Sequence, residues 1–488
     1  MSARLPGEGH RREGVAARLD RQPEIVVGAA YAVALFITIL DSTIVGVALP
    51  AMAAEFHVST AAIGWVVVGY LLSMAVWIPA SGWIGDRFGT KRVFLFALAL
   101  FTVASILCGL SGSLDQLVAF RILQGGAAGM VSPIGTAMLF RAFPPERRAR
   151  ASAILIVPTA MGPALGPLVG GILVDRLSWH WIFWINGPVG IALVLFGLRF
   201  LREHREPQPG RFDLPGFVLS GMGLALTLYA LTEGSRRGWG STPVVVAGLV
   251  GISALAAMVV VELRRPEPLL NLRLLRERLF GITNLASFFA WSAYLGWLFL
   301  LPLFLQQVRQ VSASESGFTT FVEAVGVVTG SRLVGRLYPR VGPRRLVVVG
   351  MAWMGLAIAA SVLMTETTDT GLIRLLIFLG GCGMSGILLP INTSMFARIS
   401  HSETGRASAI FNTQRRTAAA VGVAMMATIL TSLAPATSEG AGLATGAVLL
   451  PAFRVAFATA AALALVGIVA ALRIHDSDAA GTMRRNGP

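Results

Sequence analysis

The feature that most constrains this chain is a long succession of apolar stretches, each about as long as a membrane is thick. An α-helix needs roughly 20 apolar residues to cross the hydrocarbon core of a bilayer. Charged residues make up 13% of the 488 residues, against roughly 25% in soluble domains. These properties predict an all-α integral membrane protein with about fourteen spans. We place the spans near residues 25–49, 61–84, 92–112, 115–140, 150–173, 181–200, 214–233, 243–263, 279–304, 317–337, 344–364, 370–396, 406–432 and 447–472.

The positively charged residues are concentrated in alternate loops between the predicted spans. The formal net charge is +15, and its arginines lie in short loops between spans, which favours contact with anionic lipid headgroups over binding of nucleic acid. Alternate loops, from the one with Arg87 to the one with Arg406, are rich in arginine, whereas the others hold a few, such as Arg176. Because basic loops stay in the cytoplasm, we predict a multi-pass protein of the cell (inner or plasma) membrane. Both termini, which carry Arg11 and Arg485, are placed in the cytoplasm.

The sequence contains an internal repeat. GWIGDRFGTKR at 82–92 returns as GRLYPRVGPRR at 335–345, and RASAI at 150–154 recurs unchanged at 406–410. Duplicated membrane bundles commonly rock against each other around a central site, so the repeat indicates a transporter. We predict a cytoplasmic N-terminal tail (1–24), an N-terminal six-helix bundle (25–203), two linker transmembrane helices (204–270), a C-terminal six-helix bundle (271–474) and a cytoplasmic C-terminal tail (475–488).

Three further motifs identify the type of transporter. They are RILQGGAAGM at 121–130, GPALGPLVGG at 162–171 and WHWIFWINGPVG at 179–190. With the 82–92 loop, they resemble motifs of the major facilitator superfamily, and within it of the fourteen-span drug:proton antiporters. The resemblance implies two six-helix bundles with two extra transmembrane helices between them. It also implies proton-coupled export of lipophilic, often cationic drugs by alternating access; an exporter of a specific lipid, metabolite or antibiotic with the same mechanism is the alternative.

An acidic residue, Asp41, lies inside the first apolar stretch, ILDSTIVGVALP at 39–50. A carboxylate at that depth costs about 2.5–3.5 kcal/mol on insertion scales, so such residues usually serve function. The stretch resembles the first-span motif of the same antiporters, and we interpret Asp41 as a proton-coupling residue. Desolvation favours its neutral form and a nearby arginine its charged form, so movement between those environments would load and release a proton. The alternative is a static pair that serves packing.

The fourth-span motif begins with Arg121. An arginine within the membrane is costly unless it faces protein, water or a carboxylate. The resemblance assigns Arg121 to proton handling, and we take Gln124 as its polar neighbour and as a substrate contact. The competing interpretation is that Arg121 extends to the outer interface.

The loop between the second and third spans is expected to latch the two halves together on the cytoplasmic side. Glycines allow tight turns and close helix approach, and an aspartate at a helix terminus can accept backbone hydrogen bonds and pair with an arginine. The second copy has Pro339 where the first has Asp86, so we expect an asymmetric latch; a charged turn that serves only topology is the alternative. The predicted latch residues are Gly82, Asp86, Arg87, Gly89, Lys91 and Arg92.

The fifth-span motif consists of glycines at regular spacing with prolines between them. Such glycines form a flat ridge for close packing, and the prolines bend the helix. In the family that this chain resembles, the motif marks exporters rather than importers. We expect the ridge to pack and seal the halves. An ordinary packing helix is the competing interpretation. The motif residues are Gly162, Gly166, Pro167, Gly170 and Gly171.

The second half offers one buried acid and two adjacent arginines. Glu323 lies in the tenth span, nine residues before Arg332, which is too far along the helix for direct pairing. Substrate binding, proton handling and a structural pair are three open interpretations of Glu323, since a carboxylate in an apolar vestibule can hold a lipophilic cation. In the thirteenth span, Asn412 is a predicted substrate contact and the expected partner of Arg415. Arg415 and Arg416 either pair with an acid across the bundle or extend to the cytoplasmic interface.

Signatures of other function classes are missing from the sequence. There is no GxxxxGK[ST] loop of an ATP-driven pump and no HExxH or paired Cys/His spacing of a metal enzyme. We therefore expect a non-enzymatic protein without catalytic residues, metal site or cofactor. Its predicted partners are small lipophilic substrates, protons and membrane lipids, and we expect a monomer.

Overall fold

The computed structural model describes residues 23–58, 60–144, 147–207, 210–400, 402–433 and 446–483. Most of the predicted N-terminal tail, with Arg11, and the end of the C-terminal tail, with Arg485, lie outside the described residues.

Within the described residues the chain forms fourteen long helices, numbered here in chain order. Their bounds are α1 Pro23–Glu55, α2 Trp65–Phe88, α3 Thr90–Gly109, α4 Leu114–Ala142, α5 Arg148–Arg176, α6 Asn186–Phe200, α7 Leu214–Arg237, α8 Thr242–Arg264, α9 Arg278–Leu303, α10 Ala313–Val341, α11 Pro343–Ser361, α12 Thr370–Ser394, α13 Thr404–Leu433 and α14 Gly446–Ala471. A single turn, Trp181–Trp184, precedes α6, and a π-helical turn, Phe304–Val308, extends α9.

The described helices have the lengths that membrane spans require. Twelve are long and apolar enough to cross a membrane, and α5 makes thirteen if its two parts, which meet at 45°, form one span. The fourteenth, α10, has 29 residues but is more polar, which suits a helix that faces other protein rather than lipid. The predicted all-α membrane fold with about fourteen spans is confirmed.

Polar side chains fix where several helices begin. The side chain at each of five N-caps accepts a hydrogen bond from a backbone amide in the first turn, which replaces a partner that the helix itself lacks. These caps are Ser113, Asp213, Glu277, Ser312 and Asp369. Each cap ends the preceding connection and fixes where the next span begins.

The internal repeat recurs as a structural repeat at the starts of α3 and α11. Gly89 and Gly342 precede these helices with positive φ angles of 101° and 83°, a conformation that glycine adopts without strain. The carboxylate of Glu203 accepts a hydrogen bond from the first turn of α3 at 3.0 Å, and that of Asp476 does so for α11 at 2.9 Å. A Cβ atom on Gly89 would lie 2.6 Å from the carboxyl carbon of Glu203, and one on Gly342 would lie 2.7 Å from that of Asp476. Each half therefore uses one acid to cap its third helix.

The helices pack in two groups joined by a few crossing pairs. In the first group α2 packs against α4, α1 against α5 and α3 against α4. In the second, α10 and α11 pack against α12, and α9 packs against α13 and α14. The groups meet through α5 with α10 and α12, and through α13 with α2 and α4.

The sequence left the place of the two linker helices open, and the structure assigns it. Helix α7 packs against α2 of the first group and α13 of the second, while α8 packs mainly against α7. The Trp239 indole N–H, after α7, donates to Thr428 Oγ1 of α13 at 2.8 Å. The hairpin therefore covers one seam between the two halves from the outside.

The interface between the halves is tighter at one end. We call the end formed by the loops after α2, α4, α6, α8, α10 and α12 the arginine-rich end, since it carries Arg87 and Arg202. Along α13, most residues from Thr404 to Asn412 are buried, whereas those from 413 to 430 are mostly half-buried. The halves are thus closed at the arginine-rich end and looser toward the opposite end.

Candidate functional site

A fully buried ion pair lies inside the first helix group. Arg121 Nη1 of α4 donates to Asp41 Oδ2 of α1 at 2.7 Å, and both side chains are essentially inaccessible to solvent. The same Nη1 atom donates to Gln124 Oε1 at 2.7 Å, and Gln124 Nε2 donates to Asp41 Oδ1 at 3.0 Å. The structure thus brings three predicted site residues into one closed ring of hydrogen bonds, and Arg121 does not extend to the interface.

The arginine is held from a second side by α2. Its Nε atom donates to the Val66 carbonyl at 3.1 Å, and its guanidinium carbon lies 4.1 Å from the centre of the Tyr70 ring. Glycines of the fourth-span motif allow this approach: a Cβ atom on Gly125 would overlap the Tyr70 carbonyl, and one on Gly129 would lie 2.6 Å from the Met74 carbonyl. The motif glycines therefore position the arginine by bringing α2 and α4 together.

Sequence reasoning missed two members of this network, Asn186 and Tyr70. Asn186 Nδ2, at the start of α6, donates to Asp41 Oδ1 at 3.0 Å and to Ser105 Oγ of α3 at 3.0 Å. The available signal was a polar amide inside the apolar WHWIFWINGPVG stretch. With Asn186 included, helices α1, α2, α3, α4 and α6 all contribute to the surroundings of Asp41.

The glycines of the fifth-span motif pack against α1 rather than across the two halves. A Cβ atom on Gly162 would lie 2.6 Å from Ile39, one on Gly166 would overlap Thr43, and one on Gly170 would lie 2.8 Å from Ile44. The ridge expected to seal the halves instead sets the distance between α5 and α1 beside Asp41. Gly171 differs, because nothing lies within 4 Å of its Cβ position. Pro167 lies within α5, and the structure describes its backbone as helical.

This packing predicts a strong contrast between two glycines of one motif. Gly166→Val should force α5 away from α1 and lower stability by about 1–3 kcal/mol, as overpacking of a close contact does. Gly171→Val should have little effect, since it points into open space. Thermal unfolding of the purified proteins measures both, and equal losses in the two variants would contradict the proposed role of the ridge.

The predicted latch residues divide between two contacts. Gly82 meets the other half, since a Cβ atom there would lie 2.8 Å from the Gly405 carbonyl oxygen. Asp86 accepts from Arg141 Nη2 at 2.9 Å, and its carboxylate oxygens lie 3.1 Å from the Cβ position of Gly405 in the first turn of α13. A carboxylate at a helix N-terminus is favoured by the helix dipole. These residues thus connect α2 with α13.

The other four predicted latch residues do not cross between the halves. Gly89 forms the turn before α3, and the Lys91 and Arg92 amides donate to Glu203 within the same half. Arg87 is exposed. The latch is asymmetric, as expected. Gly335 is the repeat equivalent of Gly82, but a Cβ atom on it would make only an ordinary contact, 3.7 Å from the Leu389 side chain.

This difference predicts the outcome of one matched pair of substitutions. Gly82→Ala should separate α2 from α13, because the clashing atom belongs to backbone, whereas Gly335→Ala should be tolerated. The readout is maleimide labelling of an Ala409→Cys variant without the native cysteines; Ala409 is buried and lies one turn from Gly405 on the same face. Labelling should rise roughly tenfold in Gly82→Ala only. Equal labelling rates in both backgrounds would refute the contact's closing role.

Side-chain hydrogen bonds also join the halves, and two of them use the repeated RASAI segments. Thr393 Oγ1 of α12 donates to Ser152 Oγ of α5 at 2.9 Å. At the equivalent position of the second copy, Ser408 Oγ of α13 donates to the Pro133 carbonyl of α4 at 2.8 Å. Arg148 Nη1 adds a bond to a carbonyl oxygen just after α12 at 2.6 Å. The closed end is therefore sealed by contacts related by the internal repeat.

Glu323 belongs to a separate group in the second half. It is buried, with 5% of its surface exposed, and accepts a hydrogen bond from the Tyr294 hydroxyl of α9. Arg332 is exposed, in agreement with the expectation that it does not pair with Glu323. In the described part of the chain, Glu323 and Asp41 share no hydrogen-bond partner, so the two buried acids occupy distinct environments.

Asn412 and the two arginines of α13 lie at the interface between the halves. Asn412 Oδ1 accepts from Ser132 Oγ of α4 at 3.0 Å and from Arg415 Nη2 at 3.2 Å. Arg415 therefore has the expected partner. It also lies over Trp291, with its guanidinium carbon 5.4 Å from the ring centre. Arg415 and Arg416 neither pair with an acid nor extend to the interface. Among the described residues they form no ion pair, and both are at least partly buried within the bundle.

Comparison with known proteins identifies the family. The family model described as Major Facilitator Superfamily matches residues 31–423. The chain is 31% identical over 397 residues to "Multidrug resistance protein B homolog" of Mycobacterium tuberculosis, covering 80% of this chain and 73% of that protein. It is 31% identical over 412 residues to "Multidrug export protein EmrB" of Haemophilus influenzae, covering 82% and 79%. It is 38% identical over 333 residues to "Putative multidrug resistance protein MdtD" of Escherichia coli, covering 68% and 69%.

A solved structure supports the same fold. The crystal structure of the human organic anion transporter MFSD10 (TETRAN) superposes with a TM-score of 0.64 over 92% of this chain and 99% of that one, at 17% identity. At that identity the likeness concerns the fold alone. Together with the family match over residues 31–423 and the relatives of 31–38% identity, it leads to one conclusion: the chain belongs to the Major Facilitator Superfamily.

Proposed function

We propose that this protein is a proton-coupled exporter of lipophilic, drug-like molecules that works by alternating access. The relatives named as multidrug export and resistance proteins support the substrate class. The observation that carries the proposal is the buried pair of Asp41 and Arg121, because a structural pair of this kind contributes little that apolar residues could not. A transporter that exchanges protons needs a carboxyl group in such a place.

The geometry suggests how the proton is handled. Asp41 in its charged form accepts bonds from Arg121, Gln124 and Asn186. Protonation removes the charge that holds Arg121 and converts one acceptor oxygen into a donor, so the ring of hydrogen bonds must rearrange. Because helices α1, α2, α4 and α6 share this ring, its rearrangement changes how the first bundle packs. Proton binding and bundle movement are thereby coupled.

The arginine-rich end is proposed to face the cytoplasm, since basic loops stay on that side. Both termini then lie in the cytoplasm, and lipid headgroups contact the loop arginines. With this orientation the structure corresponds to a state closed to the cytoplasm, in which Gly82, Ser152 and Ser408 contribute to the seal. We propose that the protein works as a monomer, with each half supplying one side of the pathway.

The substrate pathway is proposed to run between the halves, past α13. Asn412 lies there in contact with both halves, and Trp291 and Phe411 supply aromatic surface. Glu323 with Tyr294 is the proposed second acidic site, suited to a cationic drug or a second proton. Gln124 stays within the Asp41 ring and is proposed to act through it.

Transport in sealed proteoliposomes tests this function. A fluorescent lipophilic cation serves as substrate, and a pH gradient is imposed across the vesicle membrane. Gradient-dependent uptake by the full-length protein, absent in protein-free vesicles and collapsed by a protonophore, is the expected result. Uptake that ignores the gradient would indicate a facilitator, and no uptake of any lipophilic dye would favour a specific lipid or metabolite as substrate.

A further inference from the structure

Two adjacent arginines lie near the middle of the membrane on α13. Arg415 is eleven residues after Thr404, the first residue of the helix. At about 1.5 Å per residue this places it roughly 16 Å from the arginine-rich end, which is about half of a hydrocarbon core of roughly 30 Å. A charge at this depth is costly unless it has a partner or a functional role.

The partners of the two arginines are neutral or missing. Arg415 donates to the Asn412 carboxamide and lies over the rings of Trp291 and Phe411, at 5.4 and 5.9 Å. Arg416 is half-buried, and in the described part of the chain it has neither a hydrogen bond nor an ion pair. Two neighbouring positive charges therefore have no counter-charge among the residues that the structure describes.

The two buried acids predicted to serve function have other partners. Asp41 is paired with Arg121 inside the first bundle, and Glu323 is bonded to Tyr294. Neither forms an ion pair with α13 among the described residues. No acid among the described residues therefore supplies a counter-charge to the two arginines, which leaves them available to an anionic ligand.

The turn that carries the arginines has further unused polar atoms. Both amide atoms of Gln414 and the hydroxyl of Thr413 are buried without a hydrogen-bond partner in the described structure. Buried polar groups are normally satisfied, so such groups call for an explanation such as a bound molecule. Arg415 also reaches a cavity of about 20 Å³ between the halves, lined in part by Tyr31, Thr136 and Asn392, with room for roughly one water molecule.

We propose that the two arginines bind the anionic head group of a lipophilic substrate, such as a carboxylate or sulfonate, while Trp291 and Phe411 contact its apolar body. This inference rests on the proposed export function and narrows its substrate class from lipophilic, drug-like molecules to those that carry an anionic head group. The planar guanidinium groups match oxyanions in a bidentate manner. Their position at the looser part of the interface lets a head group reach them when the halves separate.

Direct binding tests the inference with two probes that share a ring system and a chain. Pyrenebutyrate is the anion, and the corresponding pyrenebutyl trimethylammonium is the cation. The full-length protein is studied in nanodiscs of phosphatidylcholine, which carries no net charge. Pyrenebutyrate should bind more tightly than the cation, and Arg416→Gln and Arg415→Gln should each weaken it roughly tenfold, as loss of a charge-assisted hydrogen bond does.

Three variants make the result specific. Arg416→Lys keeps the charge but loses the planar fork, so it should bind pyrenebutyrate more weakly than the parent and more tightly than Arg416→Gln does. Arg454→Gln removes an exposed arginine of α14 and should leave binding unchanged. Thermal unfolding of Arg416→Gln, whose native residue has no partner to lose, should match that of the parent. Repeating the titration with phosphatidylglycerol added to the nanodiscs distinguishes the source of the anion, because displacement of the probe would identify a membrane lipid as the ligand.

The binding and transport experiments can fail independently, so the anion site and the proposed export function are tested separately. Equal or tighter binding of the cation, or anion binding that survives both glutamine substitutions, would overturn the inference even if the vesicles show proton-driven export. Arginine-dependent binding of the anion without gradient-driven transport in vesicles would retain the anion site and reject the exporter.

Discussion

Asp41→Asn is expected to abolish transport driven by a pH gradient. Asparagine has the shape of aspartate and can still accept a hydrogen bond, but it carries no negative charge and takes up no proton. The link between protonation and the Arg121 contact is then missing. In proteoliposomes with an imposed gradient, uptake should fall to the level of protein-free vesicles.

Exchange measured without a gradient distinguishes coupling from a purely structural role. Vesicles loaded with unlabelled substrate should still exchange it for labelled substrate through Asp41→Asn, since that process moves no net protons. Asp115→Asn is the matched control, because Asp115 is an exposed carboxylate in the first turn of α4 and its substitution should leave both activities intact. Gradient-driven transport that persists in Asp41→Asn, and also in the double variant with Glu323→Gln, would show that neither buried acid couples protons.

Arg121→Gln is expected to produce the largest loss of stability among the substitutions considered. It leaves Asp41 without the charge that it pairs with at 2.7 Å and removes the bond to the Val66 carbonyl. Breaking a buried pair by removing one partner costs roughly 3–5 kcal/mol. The thermal unfolding temperature of the purified variant should therefore fall well below that of the parent.

The double variant gives the sharper test. Asp41→Asn with Arg121→Gln removes both charges, and neutral groups can retain several bonds of the ring, so stability should recover toward the parent although coupling stays lost. The exposed pair of Arg147 and Glu24, at 3.1 Å, is the control: Arg147→Gln should change stability by at most about 1 kcal/mol. If the stability lost in the double variant equals the sum of the losses in the two single variants, Asp41 and Arg121 do not interact as described.

A short path of helix contacts joins Asp41 to the seal between the halves. Helices α1, α2, α3, α4 and α6 meet around Asp41, and α5 packs on α1 through its glycine ridge. A change at the carboxyl group therefore reaches the helices that contact the second half, α2, α4 and α5, within one layer of packing. This short path is consistent with proton binding altering the seal at Gly82, Ser152 and Ser408, which lie on or contact those helices.

Much of the architecture was predictable from local sequence. Apolar stretches of about 20 residues predict spans because a helix must satisfy its own backbone in lipid, and loop arginines predict orientation. The repeat of GWIGDRFGTKR and RASAI predicts two related halves. Asp41, Arg121 and Glu323 stand out because charges in apolar stretches are costly, so their existence as candidates followed from the sequence.

Only the tertiary structure decided which of these residues meet. Asp41 and Arg121 are 80 residues apart in sequence, and no local pattern states that α1 and α4 place them in contact or that Asn186 joins them. The same limit explains why the fifth-span glycines proved to pack against α1, and why Glu323 has Tyr294 as its partner. The two arginines of α13 show it most clearly. The sequence determined that two positive charges enter the membrane, while the packing of α2, α4, α7 and α9 around α13 decided that no acid of the described chain neutralises them. Periodicity and charge are local properties of the chain, whereas partners depend on how distant helices pack.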